Sequence, residues 1–398
     1  MTATTAIALV LLLPVFSAIA VMLLARPPGL RDVIHIGFAL TSAGLSGFLV
    51  FSVQHHDGGR LSLAHPLPGV ELAYAAEPLA ALFAAVVSGL GLLHAIHTVG
   101  FVRASGAPAP ARIMAFIALT SGAAMAVALS ANLFTLFVSY QALILAGAPL
   151  VQDREPEQEG RAARIYLTTQ LGASIGLFLP AVVWTYAIAG SAEFQVGGVL
   201  AGMIEPVAAN TLLVLFVLGA SMAVMPLMSS WINASSGSPW AGLTSIQSLA
   251  LVPAGAMTIL KIAAYVFGAG FGDARIAAYA LLALCGLGAC AAALIAISKQ
   301  DMRERLAYSG AAQILCAIMG ALLALLAGPS GLFASALQIA ATCCAGATLV
   351  MAGATVAAVT GRTSTADYVG LGRVMPWTFA GFAVASASMI GIPPFAGA

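Results

Sequence analysis

The sequence predicts an all-α, polytopic transmembrane helical bundle of about twelve spans with its N-terminus outside. Three observations predict it. Charge is scarce: 15 Lys and Arg and 14 Asp and Glu make up 7% of 398 residues, against roughly 25% in a soluble domain. Apolar residues reach 61% and mean hydropathy is +1.03, so the charges cannot cover the surface of a 40.0 kDa soluble globule. A disordered chain, which is polar and charged, is excluded as well. The basic residues, finally, alternate from loop to loop. A net charge of +1 offers no basic field for nucleic acid.

An apolar run needs about 20 residues to cross a bilayer. Such runs fall at 4–25, 33–53, 76–102, 112–130, 132–151, 163–189, 208–231, 240–269, 275–298, 306–327, 331–359 and 374–391. The first, from Thr5 to Ala25, lacks the basic lead-in of a secretory signal and is about long enough to span. Only Ser130-Ala131-Asn132 marks the turn between the fourth and fifth. Odd-numbered loops hold Arg26, Arg31, Arg103, Arg112, Arg154, Arg161, Arg164, Lys299, Arg303, Arg305, Arg362 and Arg373. Even-numbered loops hold Arg60 and Arg275. Basic loops stay cytoplasmic, which places the N-terminus outside.

The longest polar stretches run from Gln54 to Tyr74 and from Gln152 to Arg164. The second, with Asp153, Glu155, Glu157 and Glu159, reads as a solvated cytoplasmic loop or a docking surface for a partner. Cys285, Cys290, Cys316, Cys343 and Cys344 lie in apolar runs without CxxC spacing or a nearby histidine. They read as small buried hydrophobes, and no metal site is expected.

Ionisable groups inside a membrane are costly and mark pathways. Four fall within the spans. Glu77 begins the third, where it either meets the helix dipole at the interface or serves an ion path. His94 and His97 share one helix face at a spacing of three. They suit a small proton relay or polar helix packing. Lys261 lies about two turns from the outer end of its span, so it either snorkels to the interface or couples to an ion. Neutral polar groups at depth are Gln141, Gln170, Gln247, Gln313 and Gln338, which can bridge helices or hold water.

Prolines punctuate the spans. Pro180, Pro226 and Pro253 fall inside the sixth, seventh and eighth, and Pro393-Pro394 near the end of the last. Each removes a backbone donor. Breaks are expected at Pro226, Pro253, Pro393 and Pro394, as packing kinks or as the broken helices of a transport site. No nucleotide loop, haem or iron–sulfur ligand set, or nucleophile beside a base is present, so neither a cofactor nor an independent catalytic site is expected.

Several stretches resemble the antiporter-like membrane subunits of respiratory complex I, membrane-bound hydrogenases and Mrp-type cation/proton antiporters. AEPLAALF at 76–83 is similar to the start of that family's third helix, and ANLFTLFVSYQALILAGAPLV at 131–151 to its fifth. RIYLTTQLGASIGLF at 164–178 is similar to its sixth, and residues 240–268 to its eighth. QDMRERLAYSGAAQ at 300–313 resembles its tenth-helix start, and GLGRVMPWTFAGFAVASASMIGIPPFAG at 370–397 its broken twelfth helix. The resemblance runs from about residue 70 to the end, and its specificity lies in the order of the motifs.

The resemblance implies two inverted repeats of five helices. On that pattern residues 1–110 form three N-terminal helices, 111–270 the first repeat, and 271–398 an incomplete second repeat. Most of the family's working charges are replaced. Its helix-five glutamate falls on Gln141, and its helix-seven lysine on Ser221 or Met222. Its helix-eight histidine and lysine fall on Gln247 and Pro253. Its helix-eleven histidines fall on Leu337 and Ala341, and the lysine there on Ala345. Its charged helix-twelve residue would lie beyond Ala398. Glutamine has nearly the shape of glutamate but releases no proton.

Two functions follow. One is a membrane subunit of a proton- or cation-translocating complex, with Glu77, His94, His97, Gln141, Gln247 and Lys261 as candidate pathway residues. The other is a non-conducting paralogue that anchors a catalytic partner. Either implies other membrane subunits, possibly with a soluble catalytic subunit, around a multi-pass protein of the inner (plasma) membrane. An unrelated small-solute transporter is the third, weakest reading.

Overall fold

The computed structural model describes residues 2–55, 57–67, 69–152, 160–225, 230–395 and 397. Among them, ten helical segments are long and apolar enough to cross a membrane, and two apolar helices are shorter. The twelve apolar runs read from the sequence each contain one of these segments.

Helices begin where local chemistry directs. Proline stands at the first position of α2 (Pro28–Gln54), α3 (Pro78–Ser105), α4 (Pro110–Leu129), α8 (Pro206–Ser221) and α15 (Pro376–Ile390). There its missing N–H has no helical acceptor to lose. Side-chain caps start three others. The Thr5 amide donates to the Thr2 hydroxyl before α1 (Ala3–Leu23), at 3.2 Å. The Thr135 amide donates to the Asn132 carbonyl before α5 (Leu133–Gly147), at 2.8 Å. Asp301 accepts from the Arg303 amide at the start of α13 (Met302–Ala327), at 2.9 Å.

Two corrections to the sequence reading arise between α2 and α3. First, α2 starts at Pro28 rather than near residue 33, which draws Arg31 and Asp32 into the helix, where both are buried. Second, the polar stretch before α3 is no loop: β1 (Arg60–Leu67) and β2 (Val70–Ala75) pair antiparallel as a hairpin. Hydropathy sums miss it because β1 is largely exposed and partly polar. The hairpin is pinned by its neighbours. Ala131 N–H donates to the Ala73 carbonyl at 3.0 Å, and Ala73 N–H donates to the Thr135 hydroxyl at 2.9 Å.

Among the described residues, two membrane-length spans contain π turns that interrupt the α-helix. One consists of α6 (Arg161–Ala173), a π-helical turn at Ser174–Phe178 and α7 (Leu179–Ala189). Pro180 sits at the second position of α7, directly after the wide turn that accommodates its lost donor. The other consists of α10 (Trp240–Leu243), a π turn at Thr244–Leu249, α11 (Leu251–Lys261) and a π turn at Ile262–Phe267. Its break is at Ala250, with φ −118° and ψ −87°. Pro253 stands three residues after this break, in the first turn of α11, where its missing amide costs no helical bond. Pro226 lies outside the described residues, as do Asp153, Glu155, Glu157 and Glu159 of the acidic stretch. Pro393 and Pro394 follow α15, which has ended at Gly391 (φ 78°).

The second broken span is the hub of the bundle. It is almost wholly buried, whereas α12 (Arg275–Ser298) is largely exposed on its apolar surface. Close approach makes this possible: a Cβ on Gly255 would stand 2.6 Å from the Ala220 carbonyl of α8. Around the hub pack α4, α5, α8, α13 and α14 (Ser330–Thr360). A short helix, α9 (Ser230–Ala234), leads into it, and α14 reaches back to α3 and forward to α15.

Candidate functional site

The last residue of α11 is Lys261, and it does not snorkel. It is 0% exposed. The reason is the C-terminus of α4, whose final carbonyls have no helical donors. The Lys261 ammonium donates to the Ala128 carbonyl at 2.8 Å and the Ser130 carbonyl at 2.5 Å. Its Nζ also stands 5.1 Å from the Phe194 ring centroid. A positive charge at the negative end of the α4 dipole is well placed. Lysine at this position thus satisfies three needs at once: two orphan carbonyls, an aromatic face and a helix end.

Glu77 lies within electrostatic reach of this ammonium, and the Tyr265 hydroxyl faces the same carboxylate. The helix-dipole position expected of Glu77 is kept, since it begins α3. Glu77 stands at the N-cap of α3 but makes no side-chain cap bond, and its Oε2 is buried without a partner. Lys261, Tyr265 and Glu77 therefore form one half-wet cluster at the hairpin end of the bundle.

Just outside it is an ion network. The Arg60 guanidinium donates to Glu193 at 2.8 and 2.9 Å and to Glu71 at 2.9 Å. Asn132 Nδ2 donates to the Glu71 carbonyl at 2.9 Å and to Glu193 Oε1 at 3.2 Å. Arg60 holds the Glu71 carboxyl below the usual carboxylate range, and the Glu193 and Glu71 carboxylates in turn push the guanidinium up. Sequence reading missed Tyr265, Glu193 and Asn132, which belong to three different segments.

His94 and His97 share a face of α3, as their spacing predicts. His97 Nε2 is 3.1 Å from the Thr355 hydroxyl of α14. His94 is fully buried and both its ring nitrogens lack hydrogen-bond partners. The structure adds a third imidazole that sequence reading overlooked: His35 of α2, buried and equally unpartnered. The signal was present, since His35 lies one turn after Arg31-Asp32.

The remaining candidates are apart from these two clusters. Gln141 of α5 donates through Nε2 to the Ser174 hydroxyl at 2.5 Å, at the start of the π turn. Its Oε1 is buried and unpartnered, as are the Ser221 and Thr258 hydroxyls. The nearby Tyr140 hydroxyl donates to the Ala220 carbonyl at 2.9 Å. Gln247 is half-buried in the other broken span and lines a cavity of about 10 Å³ with Ser248, Pro253, Thr342, Gly346 and Met389. Gln170 is buried, with Nε2 unpartnered. Gln313 donates to the Met389 carbonyl at 2.9 Å and accepts from Gln338 at 2.8 Å, which ties α13 and α14 to the end of α15.

Comparison with known proteins places this architecture. Residues 130–398 match the family model described as NADH:quinone oxidoreductase/Mrp antiporter, TM. The chain is 25% identical over 379 residues to NADH-quinone oxidoreductase subunit L of Mycobacterium tuberculosis, covering 90% of this chain and 57% of that protein. It is 25% identical over 396 residues to subunit N of Desulforudis audaxviator, covering 98% of this chain and 77% of that one. The fold matches a chain of the Mrp complex from Dietzia sp. with TM-score 0.84 at 21% identity, over 98% of this chain and 42% of that chain. It matches a chain of respiratory complex I from Thermus thermophilus with TM-score 0.80 at 21% identity, over 98% and 80%. The chain thus spans little more than half the length of its subunit L relative. With everything from residue 130 onward inside the family model, the chain belongs to the NADH:quinone oxidoreductase/Mrp antiporter transmembrane family.

Proposed function

We propose that this chain is an integral membrane subunit of a proton- or cation-translocating complex, working beside other membrane subunits in the inner (plasma) membrane. The observation that carries the reading is the Lys261, Glu77 and Tyr265 cluster, buried where a broken span meets the hairpin end. The basic loops put that end outside. A water between Glu77 Oε2 and the ammonium would join the pair without direct contact. Loss of a proton from Lys261 would remove the charge while leaving two N–H donors for the helix-end carbonyls, and protonation of Glu77 would remove the opposing charge. Such a charge pair can change state with the arrival of an ion or a proton. The division into 1–110, 111–270 and 271–398 fits this reading, with the cluster spanning the first two parts.

The names of the relatives support other membrane subunits as partners; a soluble catalytic subunit is the further part of the proposal. The test is affinity purification from the native membrane in mild detergent, followed by reconstitution of whatever co-purifies and a pH-sensitive dye assay of flux. Glu77→Gln and Lys261→Met are each expected to lower flux at least tenfold while the partners still co-purify. Unchanged flux in both assembled variants would remove the cluster from the path.

A second reading, a membrane scaffold, is favoured by the neutrality of buried polar groups in the bundle. Gln141 of α5, Ser174, Ser221 of α8 and Thr258 of α11 carry no charge, and Lys261 already has the partners of a structural cap. It predicts stoichiometric recovery with a charged antiporter-like subunit, and flux that depends on that subunit alone.

A further inference from the structure

A second buried polar region lies in the N-terminal helices, away from Lys261. A cavity of about 40 Å³ opens between α1, α2, α3 and α4, lined by His35, Ser17, Ser42, Ser88, Ser121 and Pro14 among others. One water needs roughly 10–15 Å³ and two or more polar partners. The cavity exceeds that volume and offers an imidazole and four serine side chains. Pro14 inside α1 adds an acceptor, because the Val10 carbonyl one turn earlier has no proline amide to receive. The backbone makes room as well: Gly91 of α3 faces the Ser121 hydroxyl, and Gly122 of α4 seats against Pro14.

Imidazoles are aligned with this space. His35 is 2% exposed, lines the cavity, and has no partner at either ring nitrogen. His94 is within electrostatic reach of both His35 and His97. One turn from His35, towards the end opposite the hairpin, Asp32 is bracketed by Arg31 at 2.7 Å and Arg103 at 2.7 Å. Arg103 is itself 60% exposed, so the bracket reaches solvent at the face that the basic loops place in the cytoplasm. The charged and titratable groups around the cavity are thus Arg31, Asp32 and His35 of α2, with His94, His97 and Arg103 of α3. The lining of α1 and α4 is uncharged, and α14 contributes the Thr355 hydroxyl.

We propose that α1–α4 enclose a hydrated, proton-accepting pocket reached from the Asp32 end, with His35 as its acceptor and His94 and His97 as the next stations. A buried imidazole without a partner is costly unless water reaches it. Neutral imidazole carries one donor and one acceptor, so a water chain through the cavity satisfies both nitrogens and supplies the proton's route. The pocket does not depend on Lys261 and stands whether or not the chain conducts.

The test reads the histidines directly. The full chain, labelled with ¹⁵N-histidine and held in lipid nanodiscs, is titrated from about pH 8 to pH 5, the range in which imidazole changes charge. Ring signals are assigned by their loss in His35→Gln and His94→Gln. The expected result is a His35 signal that exchanges magnetisation with water and moves from neutral to protonated in that range. His94 and His97 signals should shift with it, and that coupled shift should vanish in His35→Gln. A His35 ring that stays neutral throughout and shows no water exchange would overturn the proposal, as a dry packing cavity. If His35→Gln fails to fold, the His35 ring is assigned by elimination, from the loss of the other five histidine signals in single variants, and the titration and water exchange are read in the unaltered protein.

Discussion

Two buried polar regions of this bundle are built on opposite terms. At the hairpin end, Lys261 carries a charge and has its partners: two helix-end carbonyls and an aromatic face. At the other end, His35 and His94 have no partner for any ring nitrogen. The difference teaches how to read polarity in a membrane protein. A charge with complete partners belongs to the architecture, even where it also serves a mechanism. A polar group left without partners beside a cavity marks where water enters.

Truncation should separate the two. The largest effect is expected from Lys261→Met, which leaves the Ala128 and Ser130 carbonyls buried and bare and removes the opposing charge from Glu77. A loss of about 3–5 kcal/mol in denaturant unfolding in detergent is expected. A loss below about 1 kcal/mol would mean that the carbonyls find other donors and the cap is dispensable.

Next is Gly198→Ala. Gly198 has φ +96°, and an added Cβ would stand 2.1 Å from the Phe267 carbonyl. The glycine lets the 198–200 segment lie along the end of the broken span, where Val199 and Leu200 amides donate to Tyr265 and Val266 carbonyls at 3.0 Å. About 2–3 kcal/mol should be lost. Because that contact also sets Tyr265, any flux of the assembled complex should fall with it. Retained stability in a thermal melt would show that the segment can move aside.

His35→Leu should behave in the opposite way from Lys261→Met. Replacing an unpartnered polar group by an apolar one of similar size is nearly neutral, so stability should change by less than about 1 kcal/mol. A loss as large as that of Lys261→Met would make His35 a structural group and erase the contrast.

The smallest effect belongs to the exposed network. Arg60 depresses the Glu71 carboxyl, so this pair stabilises the hairpin above the ordinary carboxylate pKa, about 4.3. That contribution is lost as pH falls below it through the depressed value. Hydrogen exchange at the β1 and β2 amides should therefore quicken on acidification past about pH 4. Arg60→Ala should remove this pH step while leaving the melting midpoint at neutral pH nearly unchanged, since exposed pairs contribute little. An unaltered pH step would assign it to another carboxylate.

The span pattern was legible because it is local. Each of the twelve apolar runs contains a membrane-length or shorter apolar helix, and proline or a capping side chain marks many of the starts. The candidate site was legible only in pieces. Glu77 and Lys261 stood out as ionisable groups in apolar runs, yet nothing in the chain said that they share a cluster. Pro253 stood out as a helix breaker, and the backbone departs from the helix three residues before it, at Ala250.

The sequence by itself determined the class of solvent, the number of spans, the placement of basic loops and the family resemblance. These depend on hydropathy, charge and motif order, which sum along neighbouring residues. Only the tertiary structure decided which polar groups are satisfied. Lys261 finds the Ser130 carbonyl 131 residues away in the chain, and His97 finds Thr355 at a separation of 258. A side chain's partners in a bundle come from other helices, and the identity of those helices is a property of packing that no local run of residues contains.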